Sequence, residues 1–306
     1  MAETDYDLVI IGAGPAGLTA GIYAARARMN VLLLEKAVPG GQVLVTDWIE
    51  NYPGFPEGIS GFDLAEKMKA HAQELGLRIE TAEVYSLNLS KTKKELVLKE
   101  KIITTQSLII ASGASPKKLG IGEEKFMGKG ISFCATCDAP FFKEKTVVAI
   151  GGGDTAVQES IFLTKFAKKV YLLHRRDTLR ATKILQERAF ANDRLEIVWD
   201  TVATDVEGFF GVESVKTRNV KTNEEKTIKT DGCFIWIGIL PNTSFLNDSV
   251  ETDKAGFIIA DQNMQASVPG VFAVGDVRDT SLRQISTAVG DGAMAAVSAK
   301  HFIENL

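Results

Sequence analysis

Two stretches of this chain repeat one pattern: a short apolar strand, a glycine-rich turn, a helix and a second apolar strand. The first runs from Tyr6 to Glu35, with a strand at Leu8 to Ile11, a helix through Ala27 and a strand at Val31 to Leu34. The second runs from Thr146 to Arg176, with strands at Val147 to Ile150 and Val170 to Leu173. In both, an unbroken apolar run leads into the glycines, as a strand buried on both faces requires. Two such βαβ units imply two dinucleotide-binding domains. The expected fold class is α/β, with two Rossmann-like, three-layer domains.

The chain has 306 residues, enough for two domains with separate cores. Its hydrophobic content of 45% and charged content of 24% are those of globular proteins. A net charge of -4 argues against nucleic acid or an anionic membrane as the main partner. No stretch is apolar for the roughly 20 residues that a membrane helix needs. Met1 to Asp7 is polar and acidic, unlike a signal peptide, so a cytoplasmic setting is expected.

The first glycine cluster is Gly12-Ala13-Gly14-Pro15-Ala16-Gly17, and Glu35 follows Gly12 by 23 residues. Glycines let the backbone approach a pyrophosphate, a helix amino terminus stabilises its charge, and an acid accepts from ribose hydroxyls. The second cluster, Gly151-Gly152-Gly153-Asp154-Thr155-Ala156, makes the same turn with alanine in the third position. Here the residue 23 positions on is His174, followed by Arg175 and Arg176. Arg180 lies one helical turn further, if a helix follows. Basic residues in place of the acid suit a 2′-phosphate. The second unit is therefore expected to bind NADPH. The first holds a different dinucleotide, for which FAD is the natural candidate.

Cys134 and Cys137 stand two residues apart, just ahead of the second unit, while Cys233 lies alone in an apolar run as a core thiol. Three cysteines exclude a structural disulfide framework. The Cys-x-x-Cys spacing lets a disulfide close and lets one thiolate attack the other sulfur. A zinc site would need two more ligands, and Cys233 and the histidines at 71, 174 and 301 offer no matching pair, so no metal is expected. Asp138 either caps a turn or handles protons, and its adjacency to the pair favours the second role.

Elsewhere, Pro39 to Gly61 reads as a long functional loop and Ser60 to Gly76 as a capped amphipathic helix. Thr81 to Thr105 suggests an antiparallel meander, and Glu196 to Phe234 is β-rich. Arg283 to Ala299 reads as a small-residue helix, and Ala111 to Pro116 as a hinge.

Several segments together resemble the small thioredoxin reductases across essentially the whole chain. They are Gly12 to Gly17, Gly40-Gly41-Gln42, Asn51-Tyr52-Pro53-Gly54, Ala111 to Ala114, Cys134 to Asp138, Gly151 to Ala156, His174-Arg175-Arg176 with Arg180, Gly275-Asp276 and Arg283-Gln284. The combination is specific; no single element is. One departure is Ile121-Gly122-Glu123, where a proline often follows the isoleucine.

The resemblance implies an FAD domain made of residues 1–114 and 244–306, with an NADPH domain of residues 115–243 inserted in it. It implies FAD contacts from Gly12, Gly14, Pro15, Ala16, Glu35, Lys36, Gly41, Gln42, Asn51, Val84, Ala111, Gly113, Gly275, Asp276, Arg283, Gln284 and Ile285. NADPH contacts are implied for Gly152, Gly153, Asp154, Thr155, Glu159, His174, Arg175, Arg176 and Arg180. By the same resemblance Cys137 faces the flavin, Cys134 attacks the partner disulfide, Asp138 supplies a proton, the partner is thioredoxin and the protein is a homodimer.

Because the cysteines directly precede Gly151, the disulfide and the NADPH site ride together. Ala111 to Lys118 and Ile239 to Ser244 are then expected to bend in each turnover. Related readings differ in one feature each. The flavoprotein subunit of a hydroperoxide reductase would carry a thioredoxin-like segment for which Gly12 leaves no room. A ferredoxin–NADP reductase would lack the cysteine pair, and a dithiol oxidase would lack Arg175 and Arg176. A non-catalytic NADPH-sensing flavoprotein would not need the pair. A reductase of another thioredoxin-like or peroxide-reducing partner stays open.

Overall fold

The computed structural model describes residues 4–46, 49 and 51–306. The chain begins with β1 (Tyr6–Ile11), α1 (Pro15–Arg26), β2 (Val31–Glu35), α2 (Gly61–Glu74), β3 (Arg78–Thr81), β4 (Ser86–Leu89), β5 (Lys94–Val97), β6 (Ile102–Ile110) and β7 (Ala114–Pro116). Next come β8 (Ile131–Ser132), α3 (Ala135–Asp138), β9 (Thr146–Gly151), α4 (Asp154–Leu163), β10 (Lys169–Leu173), α5 (Lys183–Phe190), β11 (Leu195–Val198), β12 (Thr201–Glu207), β13 (Ser214–Asn219), β14 (Glu225–Lys229) and β15 (Gly232–Trp236). The last are β16 (Ile239–Pro241), β17 (Val271–Ala273) and α6 (Ile285–Glu304). Among the described residues no helix is long and apolar enough to cross a membrane.

The chain divides into two compact units. One is built from Met1–Leu44, Ile49–Ser115 and Leu240–Leu306, the other around Pro116–Ile239. In the first, the strand order is β3-β2-β1-β6-β5-β4, with β17 also on β6. Strand β1 runs parallel to β2 and β6, pairing Val9 with Leu32 and with Leu108. On its edge away from β1, strand β6 serves two partners in turn: Ile102 to Thr105 pair antiparallel with β5, and Leu108 to Ile110 pair parallel with β17. The meander expected between Thr81 and Thr105 is thus β4-β5-β6. Alternation along β1 explains its apolar run: Leu8 and Ile10 enter one core with α1 and α6, while Val9 and Ile11 enter another on the opposite face.

The helices begin where their sequences allow. Pro15 opens α1, where the missing N–H costs nothing. Ser60 caps α2 by accepting from the Asp63 N–H over 3.0 Å, and Gly76 at φ +90° lets the chain turn away after it. Helix α6 starts at Ile285 rather than Arg283, because Gln284 and Thr287 form a reciprocal capping box. It continues past Ala299 to Glu304, with Phe302 packed on the core.

The second unit has a five-stranded sheet in the order β11-β10-β9-β15-β8, all parallel, and a separate antiparallel sheet β12-β13-β14. Strand β9 sits between β10 and β15 as β1 sits between β2 and β6, so the sequence repeat is also a repeat of topology. Strands β7 and β16, which span the boundaries at Ser115–Pro116 and Ile239–Leu240, pair with each other. Beside them the Lys117 N–H donates to Gly238, and the Asn242 N–H donates to Gly113.

Candidate active site

Each repeat ends its first strand in a turn that leaves an open cradle at a helix amino terminus. In the first unit, Gly12 at φ +102° lies so close to the Ala111 backbone that a Cβ would collide with it. At Gly14 and Gly113 a Cβ would meet nothing within 4 Å. Helix α1 has no side-chain cap, so its first N–H groups are left to meet an anion beside that space. Glu35 bridges the rim: one carboxylate oxygen accepts from the Ala13 N–H at 2.8 Å and the other from the Ala37 N–H at 3.0 Å. The loop beyond β2 docks back through the Gly40 N–H to the Ala13 carbonyl at 2.8 Å, which brings Gly41 against Gly14.

The carboxyl-terminal segment adds further groups within the same unit. The Asn51 side-chain amide donates to the Gln284 side-chain oxygen over 3.0 Å, joining two residues that the resemblance implies for one ligand. Burial raises the proton affinity of Asp276, as does the Asp291 carboxylate, while Arg283 opposes both. The Arg283 guanidinium stacks over Phe257 at 4.3 Å, and its Nε is buried with no hydrogen-bond partner among the described residues. An unsatisfied buried donor and a glycine cradle both suit a phosphate-bearing ligand. Lys36 is exposed and Ile285 half-buried, whereas the Val84 and Ala111 side chains lie in the core, leaving the main chain to face a ligand.

The second unit repeats the arrangement with different chemistry. Gly153 opens onto empty space at the uncapped start of α4. The Arg180 N–H donates to the Gly152 carbonyl over 2.8 Å, the counterpart of the bond from Gly40 to Ala13. No helix carries Arg180, since α5 begins only at Lys183; a backbone bond places it instead. Asp154 accepts from the Thr182 N–H at 2.6 Å and steadies the same loop. Arg175, Arg176, Arg180 and Thr155 are exposed, and among the described residues none of the three guanidiniums is in a salt bridge. Burial raises the proton affinity of Glu159 on α4. His174, expected beside the arginines, is buried with both ring nitrogens against backbone carbonyls.

Cys134 and Cys137 form a disulfide across the single turn of α3, with their Cα atoms 5.4 Å apart. Strand β8 delivers Cys134, and the Trp236 indole pins the intervening Phe133 carbonyl at 3.0 Å. The Ser132 hydroxyl accepts from the Cys134 N–H at 3.1 Å and donates to the Asp138 carboxylate at 2.5 Å. The acid and the disulfide are therefore tied into one small assembly. Cys233 is fully buried, and burial drives its thiol far above the ordinary range, with the Glu123 charge adding to the effect.

Sequence reasoning missed three supports of this site. Asp291 on α6 takes the Arg278 guanidinium in two hydrogen bonds, at 2.7 and 2.9 Å, and also accepts from the Gly275 N–H at 3.0 Å. The lone acid between Gly290 and Gly292 was its only signal. Glu123 accepts from the N–H groups of Leu119, Gly120 and Ile121, at 2.5, 3.0 and 2.8 Å, and so holds the turn in which Gly122 stands where a proline is often found. Ser132 carried no signal beyond its nearness to Cys134.

The profile of the pyridine nucleotide-disulphide oxidoreductase family matches residues 6–292. The chain is 45% identical over 305 residues to the thioredoxin reductase of Treponema pallidum (strain Nichols), covering 99% of each chain. It is 44% identical to that of Bacillus subtilis (strain 168), covering 99% of this chain and 96% of the relative. The crystal structure of thioredoxin reductase from Streptococcus pyogenes MGAS5005 superposes with a TM-score of 0.91 at 44% identity, over 98% of this chain and 99% of that one. Two glycine cradles at helix amino termini, one disulfide and a match along nearly the whole length lead to one conclusion: the chain belongs to the pyridine nucleotide-disulphide oxidoreductase family.

Proposed function

We infer that this protein is a thioredoxin reductase, moving electrons from NADPH through FAD to the Cys134–Cys137 disulfide and on to oxidised thioredoxin. The observation that carries the reading is the disulfide itself, formed in the same unit as an arginine-lined nucleotide cradle. Residues 1–114 and 244–306 form the FAD domain in this reading, and residues 115–243 the NADPH domain. When bound, FAD supplies a hydride acceptor for NADPH and an electron donor for the disulfide.

The chain's own residues do the rest. The Gly14 cradle and the start of α1 hold the FAD pyrophosphate, Glu35 takes the ribose, and the Gly275–Asp276 turn with Arg283 and Gln284 completes the pocket. Gly153 and the start of α4 hold the NADPH pyrophosphate, while Arg175, Arg176 and Arg180 meet the 2′-phosphate. With the disulfide reduced, the Cys134 thiolate attacks one sulfur of the thioredoxin disulfide. That bond breaks, and the leaving thiolate takes a proton, which Asp138 supplies. Cys137 then attacks Cys134, re-forming the internal disulfide and releasing the second thioredoxin thiolate, so two electrons pass to thioredoxin. A homodimer acting in the cytoplasm belongs to the same reading, by resemblance.

The test is NADPH oxidation by the FAD-loaded protein with and without oxidised thioredoxin. Consumption should require thioredoxin. Turnover with a peroxide-reducing partner but none with thioredoxin would overturn the assignment.

A further inference from the structure

His174 occupies the position that Glu35 holds in the first repeat, and the two side chains act on their turns in opposite senses. Glu35 accepts from the turn, taking the Ala13 N–H at 2.8 Å. His174 Nδ1 lies 2.8 Å from the Gly151 carbonyl oxygen, and Nε2 lies 3.0 Å from that of Thr178. Both partners are carbonyls, which only accept, so each contact is a hydrogen bond only when the facing nitrogen carries a proton: a neutral ring donates to one of the two carbonyls, an imidazolium to both. The imidazole is 5% exposed and stands edge-on to Trp199, with ring centroids 6.3 Å apart. It also explains the middle glycine: a Cβ at Gly152 would run into the ring, whereas the first repeat carries Ala13 there.

A buried ring with both nitrogens directed at the main chain has nothing left to offer a phosphate. What it does is join two segments. Gly151 belongs to the nucleotide cradle, and Thr178 sits in the middle of the loop from Arg175 to Arg180. That loop has no helix or strand to stiffen it. It is otherwise held by the Arg180 bond to Gly152 at 2.8 Å, by the Asp200 N–H, which donates to the Arg176 carbonyl at 3.2 Å, by the Lys221 ammonium on Asp177 at 2.9 Å and by the Leu179 side chain, buried in the core.

We propose that His174 is a positioning residue for cofactor choice: it fastens the arginine loop to the cradle and is not itself a ligand of the 2′-phosphate. Three exposed arginines on a loose loop would lose their ordering entropy on each binding event. On a fastened loop that cost falls on folding, and more of the phosphate interaction appears as affinity. The benefit is confined to ligands that carry the 2′-phosphate. The inference rests on the NADPH reading of the second unit.

The test uses the FAD-loaded full chain, titrated calorimetrically with adenosine 2′,5′-bisphosphate and, separately, with adenosine 5′-monophosphate. His174→Phe keeps an aromatic ring against Gly152 and Trp199 but donates nothing; His174→Gln keeps one donor. The phenylalanine variant should lose about tenfold in bisphosphate affinity and no more than about twofold for the monophosphate, with glutamine recovering part of the difference. Equal losses for both probes, or no loss in His174→Phe, would overturn the proposal. Should His174→Phe fail to fold, His174→Gln decides alone: a fall of about threefold in the bisphosphate-to-monophosphate ratio supports the idea, and an unchanged ratio sinks it. Wild-type protein that binds both probes equally would count against the NADPH reading itself. A wild-type preference that survives in the variants would count against His174 only.

Discussion

The Arg180 N–H donates to the carbonyl of Gly152 across 2.8 Å, so a residue 28 positions along the chain is fixed at the lip of the second glycine cradle. The same bond in the first repeat runs from Gly40 to Ala13. One repeat uses the docked loop to bring glycines to the cradle, the other to bring a cation.

Removing that cation should therefore alter cofactor choice rather than folding. Arg176→Ala and Arg180→Ala should each lower kcat/KM for NADPH by about tenfold, as loss of a charge-assisted contact at an exposed site predicts, and leave that for NADH within about twofold. Steady-state kinetics with the two cofactors decides. Parallel losses with both would remove these arginines from the 2′-phosphate site.

Buried Asp291 and half-buried Arg278 form a pair whose carboxylate also holds the Gly275 N–H, and so set the turn that carries Asp276. Asp291→Ala leaves the half-buried Arg278 guanidinium without its carboxylate and frees that turn, a loss below the roughly 3–5 kcal/mol of breaking a fully buried pair from one side. FAD should bind the apoprotein at least about tenfold more weakly, read as the change in flavin fluorescence on titration. Unchanged flavin affinity would show that the pair supports the fold alone.

Lys94 lies fully buried on β5, donating to the Lys91 and Gln106 carbonyls at 3.0 and 2.8 Å and facing the Phe302 ring. Burial lowers its pKa to about 8. In the unfolded chain the ammonium keeps its proton up to about pH 10.4. Between those values the unfolded state binds more protons, so this residue's contribution to stability rises with pH across the interval. Below about pH 8 the folded state carries the full cost of the buried charge. Denaturant unfolding of wild type and Lys94→Met should give a difference that moves in favour of wild type between pH 8 and pH 10, by up to about 1.4 kcal/mol per pH unit. A constant difference would mean that the amine does not titrate there.

The parts of this molecule legible in its sequence are those whose cause is local. Leu8 to Ile11 and Val147 to Ile150 announce buried strands, the glycines announce the turns, and Cys134 and Cys137 announce a redox pair by their spacing and the want of a second ligand pair for zinc. Interactions between distant residues were hidden: Asn242 bonds to Ser112 across 130 positions, and Asp291 reaches back to Gly275 from the middle of a helix. The direction of the His174 ring was hidden as well, because basic neighbours suggest a phosphate ligand. Its trace was present in Gly152: a turn that tolerates Ala13 in one repeat and has glycine in the other signals that something fills the space. The role of Glu123 is not legible beside the departure at Gly122, since accepting three main-chain N–H groups depends on a backbone curl that no local pattern records.

The central claim is that electrons reach thioredoxin through Cys134 and Cys137, and one measurement addresses it directly. FAD-loaded protein, NADPH and oxidised thioredoxin are mixed without oxygen, and the thiols formed on thioredoxin are counted against the NADPH consumed. Wild type should form about two thioredoxin thiols per NADPH, while Cys134→Ser and Cys137→Ser should form essentially none although both still bind FAD. Thiol formation that persists in either serine variant, or NADPH consumed by wild type with no thioredoxin thiols appearing, would contradict the account.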